Sequence, residues 1–553
     1  MNDVTNNNFK EIYPQLEHTL KNATFIAIDS EFSGIKDENI KTSLFDSIEE
    51  RYDKNRNIIR PYIIVQFGIT AFQRIHDENQ YNAEIFNFFI LPKSIPSKNR
   101  QVLWDVSSME FLAEHEFDFN KLAHHSIPYI DEQEKEILQQ QIQQNTLIYN
   151  IKQVISFTEE DTLKNTINEV AKWLATNIDE TNSFKIKTSS PNLQYLMHKE
   201  LRKHFPNIWT LSGNESVTVI KVEPNTREIL SEEEDLILEN ALLESYMGFS
   251  KVFNLLVTLK KPIIGHNVLL DLMFMYQQFY KPLPRKYIDF KNNIHKLFPL
   301  IYDTKFLSFE LREILDPQEK WKTNSLGGLF DYFTKFGYYS DYDLKYEIYS
   351  PVPKIRLNNE LIYSDAVKAS MKCHTAGWDS YFTGYIFIKM AFKFTQKYTK
   401  PDGPKSKETS RYVTHKELMH RIQNFANCIN IIRGRMSYLK LNGHEPPSTR
   451  PKWLYVKTLT AKPITEMEIY EEILKFGPVD VKKLASDRIL VAVGNHGSAR
   501  DILQWFRQNK ELHVVPYSAI RHSPSVQLAL VGGVLLSSGL LAWIMHQRLE
   551  KTS

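Results

Sequence analysis

Asp29 and Glu31 are two carboxylates placed to do chemistry together. They lie in FIAIDSEFSG, residues 25–34, where the apolar run Phe25–Ile28 ends in Asp-Ser-Glu. Such a run suits a strand buried on both faces. Residues two apart on a strand point the same way, so the two acids would stand side by side. Like charges that close repel, and withdrawing them from water is costly unless a cation neutralises them. A divalent metal meets that need; a strand end where both acids meet solvent or nearby Lys and Arg fits the same pattern. A third acid, Asp271, falls in the first turn of a helix expected over Val268–Phe279, behind KPIIGHN, with Asn267 as its N-cap. Its charge would meet the favourable end of the helix dipole, and a purely structural acid is common there. His374 and Asp379 stand in HTAGWD. Five apart on one ideal helix, they would point about 140° away from each other. Either only one of them matters, or His374 sits on a loop that swings over the helix carrying Asp379, with Gly377 loosening the entry.

The elements that must position these residues can be read in outline. YIIVQFGITAF (Tyr62–Phe72) and EIFNFFIL (Glu84–Leu91) are rich in β-branched and aromatic residues, and with the first strand they form a meander. Lys36–Asn57 reads as a loop or short helix at the end of the sheet. A helical piece follows at Met109–His115. Glu132–Gln144 has strong helix formers but too few apolar positions for a core helix. An insert is expected over Phe157–Thr226, with helices at Thr162–Thr176 and Asn192–His204 and a strand at Ser216–Val222. Its Lys199, Arg202, Lys203 and His204 form a basic run that is either a solvated helix face or an RNA contact. Leu300–Thr304 reads as a brief strand ending in Asp303.

With 553 residues, 42% of them hydrophobic, the chain is globular and long enough for two or three domains. Its 68 Lys and Arg against 66 Asp and Glu exclude a strong global field for a polyanion, so any nucleic acid must be gripped by local patches. The two cysteines, Cys373 and Cys428, exclude a disulfide scaffold and fit a reducing compartment. The N-terminus is polar and has no signal-peptide pattern. Val526–Met545 is uncharged and long enough to cross a bilayer as a helix, which predicts a single C-terminal anchor with the bulk of the chain in the cytosol. Gly533 and Ser537 form a small-xxx-small pair on it. Arg521, Arg548 and Lys551 flank the span, a pattern suited to the mitochondrial outer membrane, with the endoplasmic reticulum as the alternative.

D-x-E on the first strand, an Asp opening a middle helix after GHN, and H-x-x-x-x-D late in the chain form a set. Together with ERYDKNR, VQFGITAF, FNFFILPK, FLAEHEFDFNK, QFYKPLP and IYDTKFLS, they resemble the DEDDh 3′-to-5′ exonucleases of RNase H-like fold. Within that group they are similar to the poly(A)-specific ribonuclease family, PARN and its PARN-like relatives, over about residues 20–395. The resemblance implies an α/β fold. It implies an RNase H-like DEDD exonuclease core (1–155 and 239–395) with an inserted small α/β domain (156–238); beyond a linker and helix (396–450), strands at Trp453–Leu459, Val479–Leu484, Arg488–Val493 and Leu512–Tyr517 with helices at Glu466–Phe476 and Ala499–Gln508 read as the βαββαβ order of an RRM-like domain (451–520), ahead of the transmembrane helix (526–545). The resemblance also implies Asp29, Glu31, Asp271 and Asp379 as ligands of two Mg²⁺ ions, with Mn²⁺ as a substitute, and His374 as general base. Two such ions stabilise the attacking water and the departing 3′ oxygen, leaving nucleoside 5′-monophosphates.

The R-x-x-x-H signature of the family's inserted domain is absent, since Pro206 stands where the His would follow Arg202. In the RRM-like region, the strand RILVAVGN lacks the aromatic residues that stack bases, leaving Trp453 and Tyr455 as candidates for RNA contact, core packing or protein binding. Thr395–Arg411 reads as a flexible linker. The anchor resembles that of PARN-like proteins that trim PIWI-interacting RNA precursors. That branch implies single-stranded RNA 3′ ends as substrate, with a PIWI protein holding the precursor, a Tudor-domain adaptor and the lipid bilayer as partners. Poly(A) deadenylation and a non-catalytic RNA-binding adaptor are the alternatives.

Overall fold

A computed structural model of the chain describes residues 2–75, 79–96, 98–144, 146–175, 183–213, 215–315, 317, 320–335, 352–358, 360–361, 373–399, 413–460 and 462–550. It divides into two compact units, one of residues 1–37, 55–430 and 440–443, the other of residues 38–54, 431–439 and 444–553.

The first unit is built on a mixed sheet. Its strands are β1 (Asn2–Val4), β2 (Phe25–Phe32), β3 (Ile64–Ile75) and β4 (Gln80–Phe89). Next along the chain, the insert contributes β5 (Ser183–Lys187), β6 (Ile208–Gly213) and β7 (Ser216–Lys221) to a sheet of its own. The main sheet resumes with β8 (Ile263–Gly265), β9 (Ile301–Asp303), β10 (Lys354–Leu357) and β11 (Glu360–Leu361). Its order is β11-β10-β4-β3-β2-β8-β9, with β1 also on β4. β2, β3 and β4 are the expected antiparallel meander, and β8 and β9 continue it in parallel on the far side of β2. A strand with neighbours on both edges and packing on both faces must be apolar throughout. Phe25–Ile28 accordingly expose no more than 1% of their surface.

β3 and β4 extend further toward their shared turn than their apolar residues indicate. Gln73, Arg74 and Ile75 pair with Asn82, Tyr81 and Gln80. The backbone ladder closes there whatever the side chains, and the Arg74 guanidinium lies 4.8 Å from the Tyr81 ring centroid. The helix Ala376–Thr399 crosses over this meander. Gly384 is required at the crossing, because a Cβ there would sit 2.1 Å from Phe72 Cε2. The helix takes in Thr395–Thr399, which the sequence assigns to the linker; the rest of that linker, 400–411, lies outside the described residues except for its flank at 413 onward.

The insert packs helices Phe157–Ala175 and Pro191–His204 on the antiparallel sheet β5-β7-β6. β5 and β6 go beyond the single expected strand, since SFKIK and IWTLSG are too short to show a period. The helix Glu132–Gln143 is also a correction. Its few apolar residues suffice, because Leu138, 2% exposed, enters the insert's core and a capping box between Asp131 and Glu134 starts the helix.

In the second unit, the strands Leu454–Thr458, Val479–Ala485, Arg488–Val493 and Leu512–Pro516 alternate with the helices Glu466–Leu474 and His496–Trp505 in the order βαββαβ. Along the sheet the strands run second, third, first, fourth, all antiparallel. Leu454, Val456, Ile489 and Val491 face the two helices and form the core. The last of the described elements is the helix Pro524–Glu550, of which Ser525–Met545, with mean hydropathy 2.1, is long and apolar enough to cross a membrane.

Candidate active site

The strand period delivers Asp29 and Glu31 to one face of β2, as spacing requires. Directly opposite them on β3 stand Gly68 and Gln66, and opposite Gly68 on β4 stands Asn87. This cross-strand row receives the start of the helix Ala376–Thr399. A helix leaves its first N–H groups unpaired. Here Gln66 Oε1 accepts from Ala376 N at 2.9 Å and Asn87 Oδ1 accepts from Gly377 N at 3.1 Å. Gly68 has to be glycine for this approach, since a Cβ there would lie 1.8 Å from the Ala376 carbonyl oxygen.

The docked helix places Asp379, in its first turn, over the strand pair. Carboxylate oxygens of Asp29, Glu31 and Asp379 all lie within 4.8 Å of one another. His374 lies before the helix, in a turn with φ +60°, and its backbone N–H donates to Asp379 Oδ2 at 3.2 Å. The second of the two arrangements open to HTAGWD is therefore the one formed. A left-handed conformation costs a non-glycine residue about 1–2 kcal/mol. The hydrogen bond and two ring contacts offset that cost: Phe111 at 5.0 Å and His115 at 4.2 Å between centroids, both edge to face.

Asp271 comes from the other side of β2. It lies on the helix Leu269–Met275, which passes into a π-helical turn at Tyr276–Tyr280. Asn267 is not the N-cap. It adopts φ +61°, and its N–H donates to Asp303 Oδ1 at 2.8 Å while Val268 N–H donates to Asp303 Oδ2 at 3.3 Å. Asp303, fully buried at the end of β9, also accepts from Lys305 and Asn430 N–H groups, so it serves as an internal cap for two helices and a following strand. In the sequence Asp303 reads only as the end of a strand; the local mark of its capping role is the Asp-Thr pair that opens the next helix.

The electrostatics of the four acids are those of an uncompensated cluster. Asp271 and Asp379 expose 8% and 9% of their surface. Burial first, then Asp379, Asp271 and Glu31, pushes Asp29 well above the ordinary carboxylate range, and burial with Asp379 and Asp271 does the same to Glu31. Burial raises Asp271 and Asp379 to about 7. Among the described residues no Lys or Arg pairs with any of the four. Burial and the facing His115 lower the pKa of His374, so its imidazole is neutral and basic near neutral pH. An all-oxygen donor set that burial and self-repulsion leave short of positive charge fits hard divalent cations.

The sequence-predicted RNA contacts are dispersed. Arg202 is 7% exposed, stacks on Trp209 at 3.6 Å and donates to Thr210 Oγ1 and O at 2.7 and 2.8 Å, so it braces the insert rather than offering a surface. Lys199 lies 3.6 Å from Glu239, while Lys203 is exposed. Tyr455 is stacked on His522 at 4.3 Å, and Trp453 is half-buried against Phe45.

Gly68→Ala tests the docking geometry. The added methyl forces the helix entry off the sheet, with an expected loss of about 1–3 kcal/mol in urea unfolding. An unchanged midpoint would show that the helix start does not rest on β3.

The CAF1 family ribonuclease model matches residues 4–387. A pre-piRNA 3′-exonuclease trimmer of Bombyx mori is 31% identical, covering 99% of this chain and 99% of that protein. A poly(A)-specific ribonuclease PNLDC1 of Mus musculus is 28% identical over 98% of this chain and 99% of its own length. A poly(A)-specific ribonuclease PARN of Xenopus laevis is 28% identical over 87% of this chain and 75% of its own length. The chain belongs to the CAF1 family of ribonucleases and is a 3′-to-5′ exoribonuclease.

Proposed function

We propose that this enzyme is a membrane-tethered, Mg²⁺-dependent nuclease that trims the 3′ ends of PIWI-interacting RNA precursors. The observation that carries the chemistry is the close set of Asp29, Glu31 and Asp379 carboxylates, on two of which the charge of Asp271 also acts, with no Lys or Arg paired to them among the described residues and a His374 of lowered pKa beside them. The four carboxylates would hold two Mg²⁺ or Mn²⁺ ions, which would supply charge stabilisation at phosphorus and a more acidic water. His374, whose backbone N–H donates to Asp379 Oδ2, would accept on its imidazole a proton from the attacking water. Gln66, Asn87 and Gly68 fix the helix entry so that acid and base keep their distance.

Three features support the biological setting: a trimmer among full-length relatives, the apolar helix Ser525–Met545, and a βαββαβ unit with the strand order of an RRM. In that setting the RNA 3′ end is presented by a PIWI protein through a Tudor-domain adaptor, on the cytosolic face of the mitochondrial outer membrane. Buried or covered positions for Arg202 and Tyr455 favour such delivery by partners over strong binding of naked RNA. A trimming assay on 5′-labelled RNA tests the reading: mixed-sequence and oligo(A) 3′ ends should shorten at similar rates, and only when Mg²⁺ or Mn²⁺ is supplied. A strong preference for oligo(A) would make the enzyme a deadenylase.

Metal binding and pH are linked. The folded, metal-free chain holds protons on Asp271 and Asp379 up to about pH 7, whereas the ordinary Asp value is 3.8. Stability from this source is complete below pH ~4 and is lost as pH rises to ~7. The increase in melting temperature caused by saturating Mn²⁺ should therefore be larger at pH 8 than at pH 5.5. An increment independent of pH would contradict the linkage.

A further inference from the structure

The second unit holds a cavity of about 350 Å³ lined in part by Arg435, Arg450, Lys452, Trp453, Tyr517 and Ala519. Among the described residues none of its three cations pairs with a carboxylate, whereas their neighbour Arg433 is paired with Asp480 at 2.5 Å. Arg450 donates through one terminal nitrogen to Gly494 O at 2.7 Å, and its Nε is buried with no partner. The Arg435 guanidinium lies 5.4 Å from the Trp453 ring centroid, and Tyr517 lies 6.0 Å from the same ring. The site therefore offers unspent N–H donors and positive charge beside two aromatic rings.

Its place in the chain indicates the ligand. Ala519, on the cavity wall, precedes Ser525, where the apolar span begins, by six positions. Six residues reach at most about 20 Å. The connector is also tied down: His522 stacks on Tyr455 at 4.3 Å and accepts from Ser518 N–H at 2.9 Å. With that span in a bilayer, a cavity held so near its end would be within reach of the headgroups, where basic and Trp or Tyr side chains meet anionic lipid. The same stack covers the sheet-face aromatic that base stacking needs, and Leu490 and Ala492 on that face are 5% and 2% exposed. Recognition there suits a phosphate group better than a run of bases.

We propose that this cavity seats the phosphate of an anionic phospholipid headgroup, orienting the βαββαβ unit on the membrane. This rests on the reading of Ser525–Met545 as an anchor. The test uses the purified full chain in neutral detergent, titrated with dioctanoyl phosphatidylserine, dioctanoyl phosphatidylcholine, inorganic phosphate or a single-stranded RNA, with binding followed by thermophoresis. Phosphatidylserine should bind about tenfold more tightly than phosphatidylcholine. Arg435→Gln with Lys452→Gln, both exposed, should remove the preference and leave the trimming rate in detergent unchanged; Arg450→Gln should do the same if it keeps its melting temperature. Equal binding of both lipids overturns the site, as does inorganic phosphate binding as tightly as phosphatidylserine. Loss of RNA binding in the double variant, with lipid preference intact, assigns the cavity to RNA instead. The anchor is tested separately by carbonate extraction from phosphatidylcholine vesicles. If the chain is extracted, the anchor fails and the lipid source with it; if it stays and shows no lipid preference, only the headgroup site fails.

Discussion

Asp29→Asn lowers the rate of 3′-end trimming by about a thousandfold or more while leaving the metal-free fold intact. Asp379, Asp271 and Glu31 all raise the pKa of Asp29 on top of burial, so its ionisation calls for a cation. Charge stabilisation by a bound metal amounts to several kcal/mol, and each 1.36 kcal/mol of barrier is tenfold in rate, which sets the scale of about a thousandfold. The amide keeps the shape of the side chain and removes one of the repelling charges. The metal-free variant should thus melt at or above the wild-type temperature at pH 8. A variant that trims at the wild-type rate would remove Asp29 from the site. One that loses activity by unfolding would leave its role to Glu31→Gln, for which the same pair of outcomes is expected.

His374→Ala tests the proposed division between base and ligands. Its ring contacts Phe111 and His115 and lies outside the carboxylate cluster, so the variant should bind Mn²⁺ with unchanged stoichiometry. The rate should fall by about 10²–10⁴, the usual worth of a positioned proton acceptor. Because burial and His115 lower the pKa of His374, the acid limb of the wild-type rate profile should lie below the ordinary histidine range. The measurement is the single-turnover rate across pH, with bound Mn²⁺ counted in parallel. A simultaneous loss of metal would mean that His374 acts through Asp379, to which its backbone is bonded, rather than as a base.

The parts of the site legible in the sequence are those set by local period. D-x-E on an apolar strand dictates a shared face, and an Asp in a helix's first turn can be placed from the turn before it. The relation of His374 to Asp379 could be narrowed to two arrangements and no further, because the choice is made by contacts from Gln66 and Asn87, 310 and 290 positions away. A lone Gly, Gln and Asn on a meander carry no local mark of that duty. The same limit explains Asn267, whose expected capping role is taken by Asp303 from a neighbouring strand. It also explains Arg202, which looks like part of a basic patch until its stacking on Trp209 is seen. In the fold, strongly apolar strands declared themselves, whereas β5, β6 and the polar ends of β3 and β4 exist because a partner strand completes their ladder. One helix, Glu132–Gln143, needed only a few apolar residues because the insert supplies the rest of its core.

The central claim is that four carboxylates gathered from β2, a middle helix and a late helix form a two-metal centre. Counting bound Mn²⁺ per chain by equilibrium dialysis with electron paramagnetic resonance tests it most directly. Two ions per wild-type chain, falling to one or none in Asp29→Asn and in Asp379→Asn with the fold retained, is the predicted result. No bound ion in the wild type, or two ions undiminished in both variants, would contradict it.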